Sequence, residues 1–263
     1  MPVARGGRAV TPRELPIELR ARLEHGDRLA GVFLQSPSPV SAEVVAALGL
    51  DFVCIETEHS PLGRESVHGV IGAARSGGTP PLVRVADNAV VPIVSALDDG
   101  AAGVIVPRVD SAEEAQAVVG AARFPPLGRR GVGPGRAAGY GRSVPDYFAH
   151  ANAEAVVAVQ IESRAAVEDA ARIAAVEGVD LVFVGPGDLA VSLGVQFGDE
   201  SVTEAALAIV AAARAAGRPA GIWAPSAAAA RRWFDAGFQL VIVSSDLALL
   251  AEGVERVIDE LAP

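Results

Sequence analysis

Short runs of apolar, mostly β-branched residues recur along the chain, separated by alanine-rich stretches whose apolar positions follow a helical period. The runs are GVFLQ (31–35), DFVCIETE (51–58), PLVRVA (81–86), GVIVPRV (103–109), VVAVQIE (156–162), LVFVGP (181–186), AGIWA (220–224) and LVIVSS (240–245). Between them lie stretches that read as helices. SAEEAQAVVGAAR (111–123) opens with Ser111 as a cap and carries Glu114 three residues on, a capping-box pattern, and SRAAVEDAARIAAV (163–176) starts at Ser163 directly after the fifth run. Strand and helix alternating eight times within about 250 residues is the profile of a (β/α)8 barrel. The expectation is therefore an α/β TIM barrel forming one domain over 28–263, preceded by an N-terminal extension and leading helix over 1–27. A doubly wound open sheet is the competitor. It usually stops at five or six strands and carries a G-x-G-x-x-G turn after the first, and none follows GVFLQ.

In such a barrel the C-terminal ends of the strands carry the chemistry. The second strand belongs to DFVCIETEHSP (51–61), an apolar strand that runs straight into Glu56, Glu58 and His59 where an ordinary turn would place Gly or Asn. Arg84 alternates with Val83 and Val85 in the third. Gln160 and Glu162 end the fifth, and GPGDL with Asp188 follows the sixth.

Each candidate has a chemical and a structural reading. If the valines of the third strand face the helices, Arg84 faces the barrel interior or its mouth, where a guanidinium needs an anion. That anion is either an internal carboxylate such as Glu58 or an oxygen of a substrate. Glu162 and Asp188 stand one βα unit apart at neighbouring strand ends, where two carboxylates repel unless a proton or cation lies between them. Oxygen ligands with room for water and substrate suit Mg²⁺ or Mn²⁺; the alternative is that Glu162 caps the following helix. His59, at the rim beside carboxylates and held by Ser60 and Pro61, is a candidate general base or a structural hydrogen-bonding group. His25, His68 and His150 read as solvated, and Cys54 as core. GRRGVGPGRAAGYGR (128–142) is either a surface loop or an arginine-bearing wall near the rim.

Composition narrows the chemistry. All 22 basic residues are arginine. Without a lysine amine there is no Schiff-base aldolase, no lysine-anchored pyridoxal phosphate and no P-loop. The net charge of -10 argues against a nucleic-acid surface. The single cysteine closes no intramolecular disulfide, no apolar run reaches the ~18 residues of a membrane span, and the first residues lack a signal-like apolar core, so a soluble cytoplasmic protein is expected.

These residues, in this order, resemble the HpcH/HpaI aldolases, metal-dependent pyruvate aldolases. The resemblance runs through GVFLQSPSPVSAEVVAALGLDFVCIETEHSP, PLVRV, FPPLGRRGVG, VPDYF, VQIESRAAVEDAARIAAVEGVDLVFVGPGDLAVSLG and VSSDLALL, and VQIE to GPGDL is its most specific part. It implies Glu162 and Asp188 as metal carboxylates for Mg²⁺, Mn²⁺ or Co²⁺. It makes Arg84 the arginine facing the pyruvate oxygens, His59 the base or proton shuttle, and Asp98 the aspartate that pairs with His59. Gln160, Gly185 and Pro186 would line the pyruvate pocket, with Glu56 and Glu58 as supporting acids. The implied reaction cleaves or forms a 4-hydroxy-2-oxo acid from a pyruvate-like 2-oxo acid and an aldehyde. The implied assembly is a hexamer of three dimers that exchange the last helix. A decarboxylase or C–C bond-forming synthase using the same enolate, and a non-catalytic barrel that binds small acids, are the alternatives. One departure stands out. Glu56 occupies the place of the family's aspartate, and its extra methylene carries the carboxylate about 1.5 Å further.

Overall fold

The computed structural model describes residues 18–262. Eight parallel strands close into a barrel in chain order, β1 (Leu29–Leu34), β2 (Phe52–Glu56), β3 (Pro81–Arg84), β4 (Gly103–Val106), β5 (Val156–Ile161), β6 (Leu181–Val184), β7 (Ala220–Ala224) and β8 (Leu240–Ser245), with β8 paired back to β1. The open-sheet alternative is thereby excluded. Helix α1 (Leu19–His25) precedes the barrel, and α2 (Pro39–Ala46), α3 (Arg64–Ser76) and α4 (Val90–Asp98) follow the first three strands. Next come α5 (Ala112–Ala122), α6 (Val144–Glu154), α7 (Arg164–Glu168), α8 (Ala170–Ala174), α9 (Pro186–Leu193), α10 (Glu200–Ala215), α11 (Ala227–Asp235) and α12 (Asp246–Leu261). Among the described residues no helix is long and apolar enough to cross a membrane.

The two-residue period of each strand sorts its side chains into two cores. Val53, Ile55, Val83, Val157 and Val159 join the layer between sheet and helices, while Phe52, Cys54, Leu82, Val156 and Ala158 fill the interior. Burial pushes the Cys54 thiol well above its ordinary range, as befits a core residue. Leu19 and Leu23 of α1 join the interior cluster, so the leading helix packs onto the barrel. The interior phenylalanines need bare neighbours: a Cβ on Gly31 would stand 2.5 Å from the Phe52 ring, and one on Gly221 2.9 Å from Phe183. The same alternation, continued upward, turns Glu56, Arg84 and Gln160 inward at the end where the strands finish.

Local differences from the sequence reading have identifiable causes. Ser111 caps α5 by accepting the Glu114 N–H at 3.2 Å, but the Glu114 carboxylate returns to the Asp110 N–H at 2.6 Å rather than to Ser111. The helix expected over 163–176 breaks into α7 and α8 at Asp169, whose carboxylate accepts the Ala112 N–H of α5 at 2.9 Å. The glycine- and arginine-rich segment 128–142 does not form a wall at the rim of its own barrel. Arg130 donates to Asp98 (2.5 Å) and Tyr147 (2.8 Å), and Arg136 lies against Gly72 and Gly100. This region lines a cavity of about 1070 Å³ together with Ala101, Ala102 and Ala155, the residues just before β4 and β5, so it sits at the opposite end of the barrel.

Candidate active site

The turn after β2 answers why that strand ends in acids. Glu56 is fully buried, and its Oε1 accepts the backbone N–H groups of Glu58 (2.6 Å) and His59 (3.0 Å). Thr57 ties the same turn to β3, donating its N–H (3.0 Å) and hydroxyl (2.7 Å) to the Arg84 carbonyl, while the Ser60 hydroxyl donates to the Glu56 carbonyl. The Glu56 carboxylate therefore does the work of a turn cap, and the turn holds out His59, whose side chain is 52% exposed.

The other Glu56 oxygen faces β3. The register pairs Glu56 directly with Arg84, and Arg84 Nε donates to Oε2 at 2.5 Å, with Nη2 against the same oxygen. The internal partner of Arg84 is thus Glu56, while Glu58 stands further off at 3.6 Å. Two donor nitrogens are engaged and Nη1 is left for the cavity, which Arg84 lines. Its guanidinium also lies over the Phe33 ring, 4.7 Å from the centroid. Rather than reaching outward, the longer Glu56 side chain is spent below the rim, bridging two backbone amides and a guanidinium.

Glu162 is 5% exposed and accepts the Arg108 N–H at 2.8 Å and a hydrogen bond from Gln160. It does not cap α7, because Ser163 does so by accepting the Ala166 N–H. Burial raises the Glu162 carboxyl above the ordinary carboxylate range, partly offset by the Gln160 and Arg108 hydrogen bonds, and the charges of Glu58 and Asp188 raise it further. Asp188 lies in the first turn of α9, and its carboxylate is 3.9 Å from His59 Nε2. Glu58 is also buried, which raises its carboxyl; Arg84, His59 and Arg108 oppose that shift, and its Oε2 has no hydrogen-bond partner.

Gly185 and Pro186 line a cavity of about 270 Å³ with His59, Arg84 and Asp188. Gln160 lies just behind that surface: a Cβ on Gly185 would stand 2.9 Å from its Nε2 and 2.7 Å from Glu162 Oε2. Gly185 is required here by close approach to those two groups. Asp98 lies apart from His59 within this chain: it is the last residue of α4, at the end of the barrel where strands begin, and its carboxylate takes Arg130. His68 also departs from the solvated reading, with Nδ1 3.0 Å from Asp99 Oδ1. Arg108 is the residue that sequence reasoning missed. It holds φ 57 beyond β4, supplies the N–H to Glu162, and donates to Glu58 at 3.1 Å. An arginine closing an apolar strand was the available signal, the same one that drew attention to Arg84.

Residues 29–252 match the sequence pattern of the HpcH/HpaI aldolase/citrate lyase family. The chain belongs to this family. It is 40% identical over 238 residues to the hydroxypyruvate/pyruvate aldolase of Delftia acidovorans, covering 89% of this chain and 88% of that protein. It is 36% identical over 254 residues to the 5-keto-4-deoxy-D-glucarate aldolase of Salmonella arizonae, covering 95% and 97%. The crystal structure of an HpcH/HpaI aldolase/citrate lyase family protein from Burkholderia cenocepacia J2315 superposes with a TM-score of 0.89 at 36% identity, covering 93% of this chain and 98% of that one. As a member of the HpcH/HpaI family with aldolases among its relatives, the protein is a carbon–carbon lyase, and the non-catalytic barrel falls away.

Proposed function

We propose that the protein is a divalent-metal-dependent aldolase that cleaves or forms a 4-hydroxy-2-oxo acid through the enolate of a pyruvate-like 2-oxo acid. The observation that carries this reading is the pair of carboxylates Glu162 and Asp188, which repel one another: Asp188 lines the cavity together with Arg84, and Glu162 lies directly behind Gly185 in its wall. The donor set fits a hard cation. Among the described residues no cluster of three or more His, Cys, Asp or Glu is arranged to hold a metal, and Mg²⁺ or Mn²⁺ is commonly bound by one or two carboxylates with water and substrate completing the shell. When bound, such an ion supplies Lewis-acid polarisation of the 2-oxo group.

The chain's own residues supply the rest. Arg84, held on Glu56, presents Nη1 to the oxygen on which negative charge develops. In the cleavage direction His59 takes the proton of the C4 hydroxyl, the C3–C4 bond breaks, an aldehyde leaves, and the enolate collects a proton at C3. Glu58 and Asp188 stand 3.8 and 3.9 Å from His59 Nε2. The name of the Delftia acidovorans relative, a hydroxypyruvate/pyruvate aldolase, supports pyruvate or hydroxypyruvate as the 2-oxo acid. The test is exchange of the pyruvate methyl protons in D₂O, followed by NMR. Exchange is expected with Mg²⁺, Mn²⁺ or Co²⁺, lost on chelation and restored by the ion; full-rate exchange in excess chelator sinks the metal assignment.

The same reading includes an oligomer. No residue of α12 is buried, and Leu250, Val254, Ile258 and Leu261 are 52–79% exposed. On α2, which follows β1 in the barrel, Val40 and Val44 are exposed as well. An apolar helix of this size left open matches a surface covered by a second copy, and exchange of α12 within dimers of a hexamer accounts for it. Light scattering after size exclusion is expected to give a hexamer for the wild type and smaller species for Leu250→Glu/Ile258→Glu. A monomeric wild type refutes the assembly.

A further inference from the structure

The cavity of about 1070 Å³ at the end of the barrel away from His59 and Asp188 is shared by two arginines, Arg75 and Arg136. Arg75 comes from the last turn of α3, and Arg136 from the glycine- and arginine-rich segment. Their side chains run along one turn. A Cβ on Gly100 would stand 3.4 Å from Arg136 Cδ and 3.8 Å from Arg75 Cδ, and one on Gly72 2.9 Å from Arg136 Nη1. Elsewhere in the chain Arg84, Arg123 and Arg130 rest on Glu56, Asp180 and Asp98. Among the described residues Arg75 and Arg136 rest on no carboxylate. Arg75 Nη1 donates to the Gly100 carbonyl at 3.0 Å, Arg136 Nε donates to the Tyr140 hydroxyl at 3.4 Å, and Arg136 Nη1 is enclosed without a hydrogen-bond partner.

Two half-buried cations side by side repel, and partial burial removes much of the water that would screen them. Burial pushes the Arg75 guanidinium below its ordinary range, and the Arg136 charge lowers it further, against the opposite pull of Glu154. Other charged groups on the cavity wall have partners of their own: Asp146 stands 3.4 Å from His150, and Arg20 rests on Glu24 and Asp180. Tyr140, also on the wall, holds φ 54, in the left-handed region where a Cβ is strained, and its hydroxyl sits 3.4 Å from both Arg136 Nε and His68 Nε2. Strain of this kind clusters at ligand sites. We infer that this cavity binds a phosphate group, held by Arg75 and Arg136 with the Tyr140 hydroxyl beside them. A monocarboxylate brings one negative charge and leaves one guanidinium uncompensated, whereas a phosphate brings about 1.5–2 at pH 7 and pairs well with arginine forks. The volume admits free phosphate or the phosphate of a small monoester. The inference stands apart from the aldolase reading, because none of these residues borders the catalytic cavity.

The experiment is equilibrium dialysis of the metal-loaded protein against radiolabelled inorganic phosphate, with and without excess pyruvate to fill the catalytic cavity. The wild type is expected to bind one phosphate per chain whether or not pyruvate is present, and Arg75→Gln and Arg136→Gln are each expected to weaken binding by at least about tenfold. Arg75→Gln removes one of two like charges, so without phosphate it should melt no lower than the wild type, while the rise in melting temperature that phosphate gives the wild type should be lost. That pair of readings separates a lost ligand from a lost fold. Displacement of the label by glycerol phosphate at lower concentration than by unlabelled phosphate supports the site and names a monoester as its ligand; the reverse order supports it and names free phosphate. Displacement by malonate at lower concentration than by either overturns the phosphate assignment. Absence of binding, binding abolished by pyruvate, or binding unchanged in both variants overturns the inference.

Discussion

Replacing Arg84 by alanine is expected to lower kcat by about 10²–10³-fold, the size found when one donor to a developing oxyanion is removed, equivalent to about 2.7–4 kcal/mol. The expectation follows from how the guanidinium is shared. Nε and Nη2 are committed to Glu56, which fixes the plane of the group, and the side chain lines the cavity together with Asp188 and His59. A side chain that is only 11% exposed cannot swing to find another partner, so the donor is organised before substrate arrives. Arg84→Lys should recover little, because an ammonium cannot hold Glu56 and reach an oxyanion at once. The measurement is single-turnover cleavage on protein shown by circular dichroism to be folded. A variant with kcat close to the wild type would assign Arg84 to structure alone.

The second large effect concerns stability. Glu56→Ala removes the anion from a fully buried position and leaves Arg84 unpaired, with the Glu58 and His59 amides uncapped. Breaking a buried pair from one side typically costs about 3–5 kcal/mol, and a loss of that order is expected in denaturant unfolding. Arg84→Ala/Glu56→Ala should be less destabilised than the two single variants added together, because neither charge is then left alone. Strict additivity would show that the two groups do not stabilise each other. Glu56→Asp tests reach rather than charge. A side chain shorter by about 1.5 Å can keep the amides or the guanidinium but not both, so activity is expected to fall more than stability.

Much of this was legible in the chain. The strand runs set the class of fold, and two-residue alternation turned Arg84 inward on the condition that Val83 and Val85 face the helices, as they do. Glu162 and Asp188 stood out because two acids one βα unit apart must reach the same rim. Where Asp98 stands within the chain was not legible: α4 runs back from the rim, so its last residue lies at the other end of the barrel, beside Arg130. Segment 128–142 follows α5 and goes the same way. Arg108 showed in the chain only as an arginine closing an apolar strand, because its N–H reaches Glu162 through backbone geometry, φ 57, which residue type does not announce.

The sequence by itself determined the eight-fold alternation, the absence of any lysine amine, and the set of acids and arginines available at strand ends, because these depend only on residue type and local period. The tertiary structure decided which of them meet. Register between separate strands set Glu56, not Glu58, opposite Arg84, and closure of the barrel brought β8 and its bulge beside β1. Register and closure are settled by packing between segments far apart in the chain, and no local pattern records them.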